Sequence, residues 1–123
     1  MWVEKISIVT GSAGTVSGSS RVPLSGRVAS VRLSGTALGG TADFTLTRGD
    51  DGGTILVVTN GLGPWQYQPR EALHSITGGT TAYNTGVGPV MESKGPAIDG
   101  YLNYTVVQGA ASATATLYVY VDD

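Results

Sequence analysis

The chain reads as an all-β protein: a single-domain antiparallel β-sandwich of jelly-roll type, with seven or eight strands and one long loop carrying a short helical turn. Three observations lead there. Apolar residues recur at every second position in one segment after another, the period of a strand that buries one face. Gly, Asn, Asp and Pro interrupt these segments about every 8–12 residues, the turn spacing of sandwiches and jelly rolls. The length of 123 residues suffices for one domain with its own core, residues 1–123, and is too short for two.

Taken in order, WVEKISIVT (2–10) places Ile6 and Ile8 on one face and Lys5, Ser7 and Val9 on the other. TVSGSSRVPL (15–24) contains glycine and proline, which demote it to an edge strand or a bulge. GRVASVRLS (26–34) sets Ala29, Val31 and Leu33 against Val28, Ser30 and Arg32. TADFTLTRG (41–49) is the cleanest alternation, with Ala42, Phe44 and Leu46 inward and Asp43, Thr45 and Thr47 outward. TILVVTN (54–60) follows at once, and the GDDGG between them predicts a tight hairpin. From Asn60 to Gly88 the alternation fails. Within this stretch PREALHSI (69–76) predicts about two helical turns, opened by Pro69 and stopped by Gly78-Gly79. VGPVMES (87–93) is another edge or bulge candidate. IDGYLNYTVVQG (98–109) is expected to pair with ATATLYVYVDD (113–123) across the GAAS turn. In the last strand Ala115, Leu117, Val119 and Val121 share one face, Tyr118 and Tyr120 the other. ATATLYVYV carries neither charge nor proline, the usual guards of a sheet edge. It is therefore expected inside a sheet or under a partner.

Composition excludes several function classes. Charged residues are 13% of the chain, about half the usual share of roughly 25%. The net charge of −2 is dispersed, so no basic stripe for nucleic acid exists. There is no cysteine, hence no disulfide and no thiolate metal site. MWVEKISIVTG lacks the basic region and apolar run of a signal peptide, and no stretch approaches the roughly 20 apolar residues of a membrane helix. With 41% apolar residues in regular alternation, the remaining surface is mostly Thr, Ser, Gly and Asn. Such a surface is weakly repulsive and tolerates close approach to other protein.

Candidate chemistry gathers in GPWQYQPREALHSITGG (63–79), which holds Trp65, Tyr67, Arg70 and the sole histidine, His74. A Ser-His-Asp hydrolase needs a nucleophile on a strained turn such as GxSxG, and none occurs. No spacing singles out two of the nine acids as a glycosidase pair. RGDDGG lacks the spaced acids of an EF-hand and offers at most an opportunistic calcium turn; a hairpin accounts for it and for the Arg48-Gly49-Asp50 tripeptide inside it. No glycine loop leads into a helix with Lys-Ser/Thr, so phosphate cradling is unsupported. No cofactor, metal or catalytic residue is expected. Trp65 and Tyr67, two apart, project the same way from an extended segment, either as a lid on the core or as an interface anchor. Arg70 and His74 are expected to tie the long loop to strand-end carbonyls or acids. Trp2 is expected to pin the first strand or to contact a neighbouring chain.

PREALHSITGG, with Pro69, Arg70, Ala72, His74 and Gly78, and LNYTVVQGAASATATLYVYV at the end of the chain resemble a family of small β-rich virion proteins of tailed bacteriophages. The order of the segments SGRVASVRLS, GTADFTLT and TILVVTN is similar as well. The likeness spans most of the chain, and its most specific part is Pro-Arg-x-Ala-x-His. It departs at Pro96-Ala97-Ile98-Asp99-Gly100, which is less charged than in the family. The resemblance implies a structural component of the virion, assembled in the host cytoplasm: a capsid decoration (cement) protein on the shell of the major capsid protein. Neighbouring copies or a homo-oligomer are the other implied partners, with Trp2, Trp65, Tyr67, Arg70, His74, Tyr118 and Tyr120 as candidate contacts. Rival readings are a tail or head-tail connector component, and a carbohydrate-binding module with Trp65, Tyr67 and Tyr83 as its platform.

Overall fold

A computed structural model describes residues 2–61, 63–72, 82–84, 89–91 and 93–122. The described residues form strands and no helix. In chain order these are β1 (Trp2–Val9), β2 (Val16–Ser19), β3 (Leu24–Ser34), β4 (Asp43–Arg48), β5 (Thr54–Val58), β6 (Trp65–Tyr67) and β7 (Glu71–Ala72). They continue as β8 (Ala82–Asn84), β9 (Pro89–Met91), β10 (Ser93–Lys94), β11 (Ala97–Gly100), β12 (Leu102–Val107) and β13 (Thr114–Asp122).

The pairing follows a nested ribbon. β4 pairs with β5, β3 with β6 and β11, β2 with β12, and β1 with β13, all antiparallel. Winding this ribbon on itself adds two further pairings, β13 with β3 and β12 with β4. The result is a five-stranded sheet, β1-β13-β3-β11 with β6 also on β3, facing a four-stranded sheet, β2-β12-β4-β5. β6 and β11 lie end to end on the flank of β3 opposite β13, opposite Val31–Leu33 and Leu24–Arg27 respectively. This double-sheet arrangement is the jelly roll. β7–β10 and β8–β9 form two small ribbons of their own.

Period-2 alternation decides which faces meet. Ile6, Ile8, Val31, Leu33, Leu117 and Val119 line the inner face of the larger sheet, and Phe44, Leu46, Leu102 and Val106 that of the smaller one. All are buried in one cluster, and each contributes about 1.5–3 kcal/mol through the water it sheds. β13 lies between β1 and β3, as expected of an apolar strand with no edge protection.

Two expectations change. First, β12 and β13 are not a hairpin but lie in opposite sheets. Their connector does not fold back on itself; its backbone is spent on other loops, with Gly109 N–H donating to Gly14 O at 3.0 Å, Ala110 N–H to Leu38 O at 2.8 Å and Ser112 N–H to Gly11 O at 3.0 Å. Second, Val28 faces the core with Val31 and Leu33. Tyr120 opposes Ser30 while Val121 opposes Val28, so Ala29 is the extra residue of a β-bulge that flips the alternation. Of the segment 69–76 expected to make two helical turns, positions 73–76 and the Gly78-Gly79 stop lie outside the described residues, and Glu71–Ala72 form β7 against Ser93–Lys94.

Candidate functional site

The larger sheet ends at β1, which pairs only with β13 among the described residues. Apart from the Lys5 N–H, which the Glu4 carboxylate accepts at 3.2 Å, the other edge of β1 presents main-chain N–H and C=O groups that can template another strand. Its inward side chains are Glu4, Ile6 and Ile8, and its outward ones Val3, Lys5, Ser7 and Val9. Trp2, Val3 and Val9 are 53%, 45% and 56% exposed, an unusual amount of apolar surface for one edge strand. Lys5 is the single charge on the outward face, and Ile6–Val9 carries none.

At the Trp2 end the strand borders a groove of about 510 Å³ lined by Trp2, Val22, Pro23, Leu24, Ser25 and Val121. Leu24 and Val121 are buried and form its floor, while Trp2 and Val22 stand exposed beside it. The segment between β2 and β3 is braced here by a buried carboxylate. Glu4, 0% exposed, accepts from the Arg21 main-chain N–H at 3.1 Å, from Arg21 Nη2 at 3.1 Å and from Lys5 N–H at 3.2 Å. Ser20 adds a second brace: its Oγ donates to Val22 O at 2.8 Å and accepts from Leu102 N–H at 3.1 Å. The walls of the groove are thus held in place before any partner arrives.

Of the remaining sequence candidates, Trp65, Tyr67, Tyr118 and Tyr120 lie on the same sheet. Trp65 and Tyr67 do share a face of β6, with ring centroids 5.4 Å apart. Trp65 packs 5.3 Å from Phe44 and against the core cluster, so its indole acts as a lid. Its Nε1 is buried with no hydrogen-bond partner, over Gly61, where a Cβ would stand 3.3 Å from it. Tyr67 is 46% exposed. Tyr118 is half-buried, with the Arg32 guanidinium 4.2 Å from its ring centroid and Lys5 Nζ at 5.9 Å, both within cation–π range. It anchors the row Lys5–Tyr118–Arg32–Gln66 across β1, β13, β3 and β6. Tyr120, also half-buried, lies between Val3 and Ser30. Arg70 is exposed and makes none of the side-chain hydrogen bonds among the described residues. His74 lies outside them, and Tyr83 stands in β8.

The GDDGG turn is explained by its backbone. Asp51 Oδ1 accepts from Gly53 N–H at 2.8 Å and from Arg48 Nε at 3.1 Å, and Asp50 Oδ1 accepts from Asp51 N–H at 2.8 Å. The Gly53 N–H, and after it the Arg48 guanidinium, hold the Asp51 carboxyl below the usual carboxylate range. No group of three metal-ligating side chains occurs among the described residues, and no helix among them is long and apolar enough to cross a membrane.

Sequence reasoning missed the bracing role of Glu4, although a charge at an inward position of an alternating strand was the available signal. Val22 and Leu24 as groove residues left no signal, since their placement depends on β1 and β13 arriving beside them. Comparison with protein-family models, curated proteins and solved structures returns no match.

Proposed function

We propose that this chain is a structural component of a tailed-bacteriophage particle, a decoration protein that binds the outer surface of the major capsid protein shell and stabilises it. The observation that carries the reading is the apolar rim: an open edge strand with Trp2, Val3 and Val9 exposed, beside a braced groove floored by Leu24 and Val121. A subunit strand or loop laid along β1 would complete the sheet by β-augmentation, and an apolar side chain would fill the groove. Repetition over a shell lets avidity substitute for a large contact at each site. A jelly roll whose groove walls are braced by Glu4 and Ser20 suits this task, and the task asks for no catalytic group.

The test is to add purified protein to capsids stripped of accessory proteins, sediment them and count bound copies. Hundreds of copies per shell, lost with Trp2→Ser, support the reading. About a dozen or fewer indicate a portal-vertex or tail component instead. No binding to capsids overturns both. Truncating a central tryptophan in an interface typically costs 2 kcal/mol or more, so Trp2→Ser is expected to weaken binding by about 30-fold.

A further inference from the structure

A second groove, sharing no residue with the first, opens at the same end of the sandwich on the smaller sheet. It is an open depression of about 410 Å³ lined by Ser19, Gly49, Asp50, Gly100, Tyr101 and Asn103. Its size falls within the range of small-molecule sites. Its chemistry is distinct from the apolar rim: one phenol ring, one carboxylate, one carboxamide, one hydroxyl, and two glycines that leave the main chain bare. Tyr101 is 47% exposed, although nothing in the fold requires so large an apolar ring to face water there.

We propose that this groove binds a neutral sugar, with the Tyr101 ring beneath the apolar face of the pyranose and Asp50, Asn103 and Ser19 addressing its hydroxyl groups. A carboxylate and a carboxamide can each serve two adjacent hydroxyls, the first as acceptor and the second as both donor and acceptor. No Lys or Arg lines the groove, so phosphates and acidic sugars would meet Asp50 with nothing to neutralise them. A single carboxylate is too few ligands for a calcium site.

The groove is also preorganised, which lowers the cost of binding. Gly49 N–H donates to Tyr101 O at 2.8 Å, Arg48 N–H to Gly53 O at 2.8 Å and Ser20 N–H to Leu102 O at 2.8 Å. These bonds tie the β4–β5 turn, the start of β12 and the end of β2 into one rigid unit. A Cβ at Gly49 would stand 2.7 Å from Tyr101 O, so the approach of the turn to Tyr101 depends on that glycine.

The surface beyond the groove fits a chain of sugars rather than one. Ser19, Asn103 and Thr47 lie side by side across β2, β12 and β4, and Ser17, Thr105 and Thr45 form the next row. Among the described residues this face offers hydroxyl and amide groups along a track that starts at Tyr101 and Asp50 and reaches exposed Val57, Val107 and the carboxylate of Asp43 at its far end. The occupant we assign is therefore a neutral oligosaccharide, independent of what docks on the Trp2 rim.

The test uses the full chain on an array of neutral glucose-, galactose- and mannose-containing oligosaccharides, with sialylated and sulfated glycans as comparators. Saturation-transfer NMR then follows on the strongest neutral hit. Binding to a neutral glycan that falls about tenfold or more in Tyr101→Ala and in Asn103→Ala, and persists in Tyr101→Phe, supports the site. Both positions are exposed, and unchanged thermal melting of the variants shows that the fold is intact. The proposal is overturned by absence of any neutral hit, by preference for the acidic glycans, or by binding that survives Tyr101→Ala. Loss in Tyr67→Ala with Tyr101→Ala unaffected overturns it as well and moves the site to the Trp65–Tyr67 pair.

Discussion

Glu4 and Asp51 illustrate two opposite uses of a carboxylate in one small protein. Glu4 is fully buried, and both its oxygens are occupied by donors from Arg21 and Lys5. Replacing it with Gln puts an amide nitrogen against an N–H donor whichever way the side chain turns. We expect Glu4→Gln to lower unfolding free energy by about 1–3 kcal/mol, measured by urea denaturation; an unchanged midpoint would count against the bracing role. Asp51 is exposed and holds the turn through the Gly53 N–H. Because its folded pKa is depressed, its contribution is present above the ordinary Asp value and lost as pH falls through the folded one. Its side-chain carboxyl carbon, followed by NMR, should therefore titrate below the ordinary Asp midpoint. Arg48→Ala should raise that midpoint only in part, since the Gly53 bond remains. A midpoint at or above the ordinary value refutes this account.

At the scale of elements, β2 shows how a poor strand is kept in a sheet. Gly18 weakens it, yet Tyr104 on β12 opposes Gly18 and lays its ring over the vacant position. A Cβ at Gly18 would stand 2.6 Å from the Tyr104 hydroxyl and 2.7 Å from its Cζ. The aromatic ring supplies the contact that glycine lacks, as in the rescue of edge glycines elsewhere. Gly18→Val is expected to expel the ring and destabilise the fold by about 1–3 kcal/mol, with Tyr104 ring resonances moving toward solvent-exposed shifts. An unmoved Tyr104 would show that β2 is held by its main chain alone. The alternation in residues 41–58 made β4 and β5 legible, because a hairpin with GDDGG between its strands is a local object. The bulge at Ala29 was not legible: it answers the register of β13, a strand about ninety positions away in the chain by the pairing of Ser30 with Tyr120.

For the whole molecule, Thr10 is where the windings of the ribbon are clamped. Its main-chain N–H donates to Ala113 O at 2.9 Å, its Oγ1 donates to Ala110 O at 2.6 Å, and the same oxygen accepts from Ala113 N–H at 2.8 Å. Beside it Gly14, at φ +76°, passes so close to Gly109 O that no side chain would fit. Thr10→Val keeps the shape but strips a donor and an acceptor from a buried junction. We expect a loss of about 1–3 kcal/mol and faster amide exchange at Ala113; if exchange there is unaltered, the clamp is the main chain rather than the hydroxyl. The same scale governs the two grooves. Ser20 borders both, bonding to Val22 O beside the first and to Leu102 beside the second, so Ser20→Ala should weaken capsid and sugar binding together, whereas Trp2→Ser and Tyr101→Ala should separate them.

Period-2 alternation, low charge and turn residues were enough to establish an all-β sandwich, its inward faces outside the β3 bulge and the β4–β5 hairpin, since these are consequences of local geometry and of which residues water rejects. Strand partners followed another logic. Whether β12 pairs with β13 or crosses to the opposite sheet depends on free-energy differences among long-range pairings that leave each strand's own pattern unchanged. The grooves inherit that dependence. Tyr101, just before β12, and Asn103 on it are two positions apart in one extended stretch, but Ser19 and Asp50 joined them only when β2 and the β4–β5 turn closed around β12. A constellation of side chains from three segments becomes a site through tertiary packing, because no local preference in any one segment refers to the others.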